Sequence, residues 1–191
     1  KTRFQNFTLL RGWVKTPKLK IEQKVRIGLI PIEQQRLTNH ISNLDQEDSF
    51  LYQRNSLIIK LLLGTGLRIS ELINIKWTDL VEIKDSKHGA IYSILVKGKG
   101  NKERLVYIQV SEINSNIKAL TKSKQKSEYL ITSTHGNKCN RTRLYIVINN
   151  IMKDAGISKK GLHLYRHTFA RNLVDKDISL PTIKELLGTL I

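Results

Sequence analysis

Cysteine is nearly absent from this chain: Cys139 is the only one. No intramolecular disulfide can form, and no cysteine cluster can hold a metal. A reducing compartment, the cytoplasm, is therefore the expected one. Long apolar runs are missing too. Leu57 to Leu63 is interrupted by Lys60 and is too short to cross a bilayer. The opening Lys1-Thr2-Arg3-Phe4 lacks the apolar core of a signal peptide, so no membrane association is expected. His40, His88, His135, His163 and His167 do not fall at zinc-ligand spacing. No paired acidic motif suggests two-metal chemistry, so neither metal nor cofactor is expected. Acidic residues are scarce, 16 against 33 Lys and Arg, which leaves a formal charge of +17. That excess suits a polyanion, nucleic acid foremost, although a generally Lys-rich composition would produce it as well.

What remains is ample for a core. Hydrophobic residues make up 40% of 191, enough for one good domain. Residues 1–30 carry Lys1, Arg3, Arg11, Lys15, Lys18, Lys20, Lys24 and Arg26 against the single acid Glu22, with Pro17 inside the stretch. They are expected to be a basic linker or the tail of a preceding domain, either a strap along a DNA backbone or a solvated connection. Residues 31–191 form the main unit. Helical spacing runs from Ile32 through Leu37 and Ile41 to Leu44, then from Gln53 to Leu63 with Gly64 and Gly66 as its stop. Ser70 is expected to cap a short helix reaching Ile75. The texture then changes. Ala90 to Val96 and Glu103 to Ile108 are strand-like and flank Lys97-Gly98-Lys99-Gly100-Asn101-Lys102, a hairpin with a lysine-loaded tip. Leu80 to Ile83 adds a third strand. Helices follow over Ser111–Leu120, Arg141–Ala155, His163–Val174 and Pro181–Leu187. The expected class is α+β, mostly helical with a small three-stranded antiparallel sheet.

Two motifs carry chemistry. In His163-Leu164-Tyr165-Arg166 the histidine and arginine stand at i and i+3, on one helix face. Arginine offers paired donors to phosphate oxygens, and histidine can donate a hydrogen bond or a proton. Far upstream, Arg68 follows Gly64-Thr65-Gly66 and precedes a helix start, where backbone N–H groups favour an anion. Taken singly, each has a plain alternative: a structural histidine, a surface arginine after a glycine stop, a charged hairpin tip at Lys99. Together, in so basic a chain, they point to a DNA phosphodiester. Tyr165 is expected to pack in the core.

The set resembles the tyrosine recombinase/integrase family of phage integrases, Xer recombinases and Cre. Thr65-Gly66-Leu67-Arg68-Ile69-Ser70-Glu71-Leu72 resembles its first-arginine box, Gly98-Lys99-Gly100-Asn101-Lys102-Glu103-Arg104 its catalytic-lysine hairpin, and His163 to Ala170 its H-x-x-R box, with Tyr165 where Leu is usual. Leu186-Leu187-Gly188 resembles the start of its LGH box. The resemblance covers residues ~32–188. It implies Arg68 and Arg166 on the scissile phosphate, Lys99 as general acid, His163 assisting proton transfer, and Glu71 orienting Arg68. Lys97, Lys102, Arg104, Arg141 and Arg143 are the expected DNA-binding residues. Thr189 stands at the family's His or Trp position. The family's nucleophilic tyrosine falls about nine residues past that point, beyond Ile191, and the chain opens on Lys1. A truncated catalytic domain is therefore expected, with a decayed or non-catalytic DNA-binding relative as the alternative. The implied partner is double-stranded DNA, with family members acting as tetramers on two duplexes. This chain alone is expected to be a monomer or weak dimer, cytoplasmic and nucleoid-associated.

Overall fold

The computed structural model describes residues 28–47, 49–85, 89–98, 102–123 and 127–188. The α+β expectation holds. Helices α1 (Pro31–Asp45), α2 (Phe50–Thr65) and α3 (Ile69–Leu72) come first. A 3₁₀ turn and strands β1 (Leu80–Asp85), β2 (Gly89–Lys97) and β3 (Glu103–Gln109) follow. Then come α4 (Val110–Lys122), α5 (Arg141–Asp154), α6 (His163–Val174) and α7 (Leu180–Leu186). No helix of the described residues is long and apolar enough to cross a membrane.

Helix α2 is the spine. Leu57, Ile58, Ile59, Leu61 and Leu62 are all fully buried, because α1, α4, α5, α6 and β3 surround it. An apolar helix with almost no polar stripe is stable only in such a position. It starts at Phe50, three residues before the expected Gln53. Gly64 does not stop it. That residue lies inside the helix, where a Cβ would come within 3.0 Å of Ile108 Cδ1, so its bareness lets β3 approach. The stop is Gly66, at φ +63°, whose N–H returns to the Leu62 carbonyl.

The strands pair antiparallel in the order β1-β2-β3, with Leu80 opposite Ile94 and Val96 opposite Arg104. Alternation sends Ile94, Val96, Val106 and Ile108 inward and leaves Leu105 and Tyr107 exposed. Arg104 shares the inward parity of Val106 and Ile108. Strand β1, expected over Leu80 to Ile83, extends to Asp85.

The core reaches back to Leu29, which is fully buried. The Leu29 N–H donates to Thr168 Oγ1 at 2.8 Å, and Lys159 bridges Glu33 at 2.6 Å. The start of α1 is thus fastened to α6 and its approach. Residues 1–27 of the expected basic stretch lie outside the described residues.

Candidate active site

Helix α6 begins at His163, as its sequence spacing predicts, so His163 and Arg166 share its first-turn face. Arg68 lies at the start of α3, just past the left-handed turn at Gly66. Ser70 is not the cap. Arg68 occupies that position, and its N–H is satisfied by Glu71 Oε2 at 2.8 Å, three residues on. The short helix closes at Leu72, before the expected Ile75. These turns bring Arg68, His163 and Arg166 onto one open cleft of about 530 Å³. Ser70, Arg141, Thr142 and Tyr145 line it as well.

Behind the cleft sits a buried carboxylate. Glu71 is 3% exposed and faces two arginines. Arg104 grips it with both ends of its fork, Nη1 to Oε1 and Nη2 to Oε2, each at 2.9 Å. Arg68 Nη1 shares Oε1, also at 2.9 Å. Burial alone would raise the Glu71 pKa. The hydrogen bonds and charges of Arg104 and Arg68 outweigh it and hold the carboxyl below its usual range.

Arg166 is fixed by backbone instead. Its Nη1 donates to the Gly66 carbonyl at 3.0 Å and its Nη2 to the Leu187 carbonyl. Burial, aided by repulsion from Arg68 and Arg104 and only partly offset by Glu71, pushes its pKa down to about 10. The guanidinium remains charged at neutral pH, but among the described residues three arginines, Arg68, Arg104 and Arg166, face the one carboxylate of Glu71. An anion entering the cleft relieves that imbalance.

Of the other expected site residues, Lys99 and Thr189 lie outside the described residues. The described base of the hairpin that carries Lys99 lies beside Glu71. Gly98 N–H bonds the Lys102 carbonyl at 2.7 Å, and a Cβ on Gly98 would lie 3.6 Å from Glu71 Oε1. Lys97 is exposed and pairs with Glu103 at 3.3 Å. Lys102, Arg141 and Arg143 are exposed, and only Arg141 of these lines the cleft. Arg104, by contrast, is turned inward, its side chain 13% exposed.

Thr142 and Tyr145 line the cleft although neither is among the expected site residues. Their signal was present: Asn140 caps α5 by accepting from Thr142 N–H at 2.7 Å, and Tyr145 follows Arg141 by one helical turn. The carbonyls that seat Arg166 had no signal, since backbone acceptors are not written in side-chain identity. Among the described residues, no three His, Cys, Asp or Glu side chains gather where they could hold a metal.

Tyr165, between the two α6 site residues, is 1% exposed, as expected of a core residue. Its hydroxyl has no hydrogen-bond partner among the described residues, and burial pushes its pKa well above the usual range. An unsatisfied buried hydroxyl is costly. Tyr165→Phe is therefore expected to leave stability unchanged or raise it by up to ~1 kcal/mol, as followed by thermal melting. A loss of that size instead would reveal a partner for the hydroxyl.

This helical domain, with its small sheet and its cleft of two arginines and a histidine, has the architecture seen in tyrosine recombinases. The chain belongs to the phage integrase family, whose family model matches residues 31–189. It is similar to the tyrosine recombinase XerH of Campylobacter jejuni, with 33% identity over 159 residues, covering 82% of this chain and 43% of the relative. Similarity to the tyrosine recombinase XerC of Listeria innocua is 30% over 151 residues, covering 75% and 48%. The chain thus spans about half the length of these relatives. Its fold resembles a XerH site-specific recombinase bound to difH substrate in a pre-cleavage complex, with TM-score 0.73, 28% identity, and 86% of this chain and 47% of that chain covered. A lambda integrase tetramer bound to a Holliday junction shares the fold, at TM-score 0.58 and 19% identity, with 86% and 47% covered.

Proposed function

We propose that this domain binds a phosphodiester of double-stranded DNA and activates it for site-specific strand exchange. The observation that carries the reading is the common cleft of Arg68, His163 and Arg166, backed by the buried Glu71. In this reading Arg68 and Arg166 hold the non-bridging oxygens and stabilise charge that grows in the pentacoordinate transition state. A tyrosine oxygen attacks phosphorus as the P–O5′ bond breaks, leaving a 3′-phosphotyrosine. Lys99 gives its proton to the leaving 5′ oxygen, and His163 assists the transfer at the nucleophile. Lys97, Lys102, Arg141 and Arg143 contact the flanking backbone, and Thr189 takes the place of the family's His or Trp. The whole protein would act as a tetramer on two duplexes, in the nucleoid, with this chain alone monomeric or weakly dimeric.

The test joins the chain to the C-terminal segment of the Campylobacter jejuni relative. Duplexes bound by the chain are selected from a random pool and rebuilt as nicked suicide substrates. A covalent adduct on a denaturing gel, lost on Arg68→Ala, is expected. Tight salt-dependent binding with no adduct would replace the proposal with a non-catalytic DNA-binding relative. Absence of binding would overturn both.

A further inference from the structure

Arg104 lies on the hairpin strand β3, and the strand's alternation turns it inward with Val106 and Ile108. There it meets three other parts of the site. Both ends of its guanidinium hold Glu71, from the Arg68 segment, at 2.9 Å. Its Nε donates to the Leu186 carbonyl, at the end of α7, at 3.2 Å. Gly188, at φ +61°, lies against it so closely that a Cβ would come within 3.1 Å of Arg104 Cδ and 3.2 Å of Nη1. The side chain is 13% exposed, whereas Arg68 is 35% exposed. With its fork engaged on Glu71 and its Nε on Leu186, Arg104 has little left to offer a DNA backbone.

The charges give this arrangement a purpose. Glu71 carries one negative charge and two arginines share it. Arg104 takes both carboxylate oxygens, while the Arg68 guanidinium reaches only Oε1, through one nitrogen, and the Arg68 backbone N–H holds Oε2. A guanidinium has five N–H donors, so Arg68 keeps most of its fork for a ligand. Without Arg104, Glu71 would neutralise Arg68 and draw it away from the cleft.

We propose that Arg104 is a positioning residue for phosphate activation: it satisfies Glu71, so that Arg68 keeps its charge for the phosphate, and it ties the lysine hairpin to the chain leaving α7. The proposal rests on the phosphodiester reading given above. It differs from a DNA-contact role because Arg104 acts on the phosphate through Glu71 and Arg68, not by touching DNA.

The experiment compares R104M, R104K and the double variant E71Q/R104M, each first confirmed to be folded by its thermal melt. On the chain itself, inorganic phosphate is titrated and the Arg68 Nε–H resonance is followed. On the tyrosine-bearing chimera, adduct formation is timed at saturating duplex. Removing Arg104 alone is expected to weaken phosphate binding about five-fold and to slow adduct formation about 100-fold. The double variant, which removes the unbalanced carboxylate as well, should recover at least ten-fold of that rate, with R104K in between. A structural role alone predicts a double variant no better than R104M, and that result would overturn the proposal. So would an unchanged saturated rate accompanied by a flatter salt dependence of DNA binding, the mark of a direct backbone contact. Should the unaltered chimera form no adduct, the cleavage reading fails, and the phosphate titration still decides the role of Arg104. Equal phosphate affinity in R104M and the unaltered chain would overturn that role. If R104M fails to fold, R104K and the double variant carry the same comparison.

Discussion

Arg166→Ala is expected to abolish strand cleavage in the tyrosine-bearing chimera, with adduct formation falling about a thousand-fold or more. Affinity for duplex should fall by only about 1–3 kcal/mol, because many backbone contacts hold the DNA and only one arginine is removed. Three features set the size of the effect. Arg166 is seated by the Gly66 and Leu187 carbonyls, so its fork is aimed before any ligand arrives. It is half-buried, with its pKa pushed down to about 10, so a phosphate relieves a charge that the protein itself leaves poorly compensated. It also faces the same cleft as Arg68, so the two can hold different oxygens of one phosphate. Arg166→Lys separates charge from geometry. A lysine keeps the cation but cannot span two carbonyls and still offer paired donors, so a loss of about 100-fold is expected from it. Trapping on the nicked duplex measures the rate, and mobility shift measures the affinity. A lysine variant as active as the unaltered protein would mean that the fork plays no part and charge alone suffices.

The same residue shows where the sequence stopped being informative. The i and i+3 spacing of His163 and Arg166 placed them on one helix face, and α6 begins at that histidine. The hairpin was legible from its glycines and lysines, and its strands pair in register about the expected tip. Local pattern therefore carried the elements. It could not carry partners. Arg166 bonds a carbonyl 100 residues away, and Arg104 grips a carboxylate 33 residues away. Arg104 is the instructive case. Lys97 and Lys102 on the same hairpin, like Arg143 on α5, are exposed, and in composition it is one more basic residue near the hairpin tip. Strand parity with Val106 and Ile108 was the only local sign that it points into the protein. Parity tells that a charge is turned inward but not which charge awaits it. Gly64 misled for a related reason. Glycine after an apolar run usually ends a helix, but here it is the close passage of Ile108 that needs a residue without a side chain.

Removing the buried carboxylate should cost much of the domain's stability. Glu71→Gln leaves Arg104 with one acceptor in place of two and with no balancing charge, at a position only 13% exposed. Breaking a buried pair from one side typically costs about 3–5 kcal/mol. In a domain of this size each kcal/mol shifts the melting temperature by roughly 2–4 °C, so a fall on the order of 10 °C is expected at pH 7. The pH dependence gives an independent check. Arg104 and Arg68 overcome the cost of burial and hold the Glu71 pKa below its ordinary 4.5. A carboxyl of this kind contributes stability that is fully present above its unfolded value. That stability is lost as the pH falls through the lower, folded value. The unaltered protein should therefore lose stability steadily as the pH is lowered past about 5, and Glu71→Gln should lose less over the same interval. The slope will not vanish, because Lys159 and the Ile30 N–H also hold the Glu33 carboxyl below its usual range, against a burial cost that would raise it. Thermal melts of the two proteins between pH 7 and pH 3 measure the difference. Parallel curves would show that Glu71 keeps the same pKa folded and unfolded, and the two-arginine grip would then have no energetic consequence.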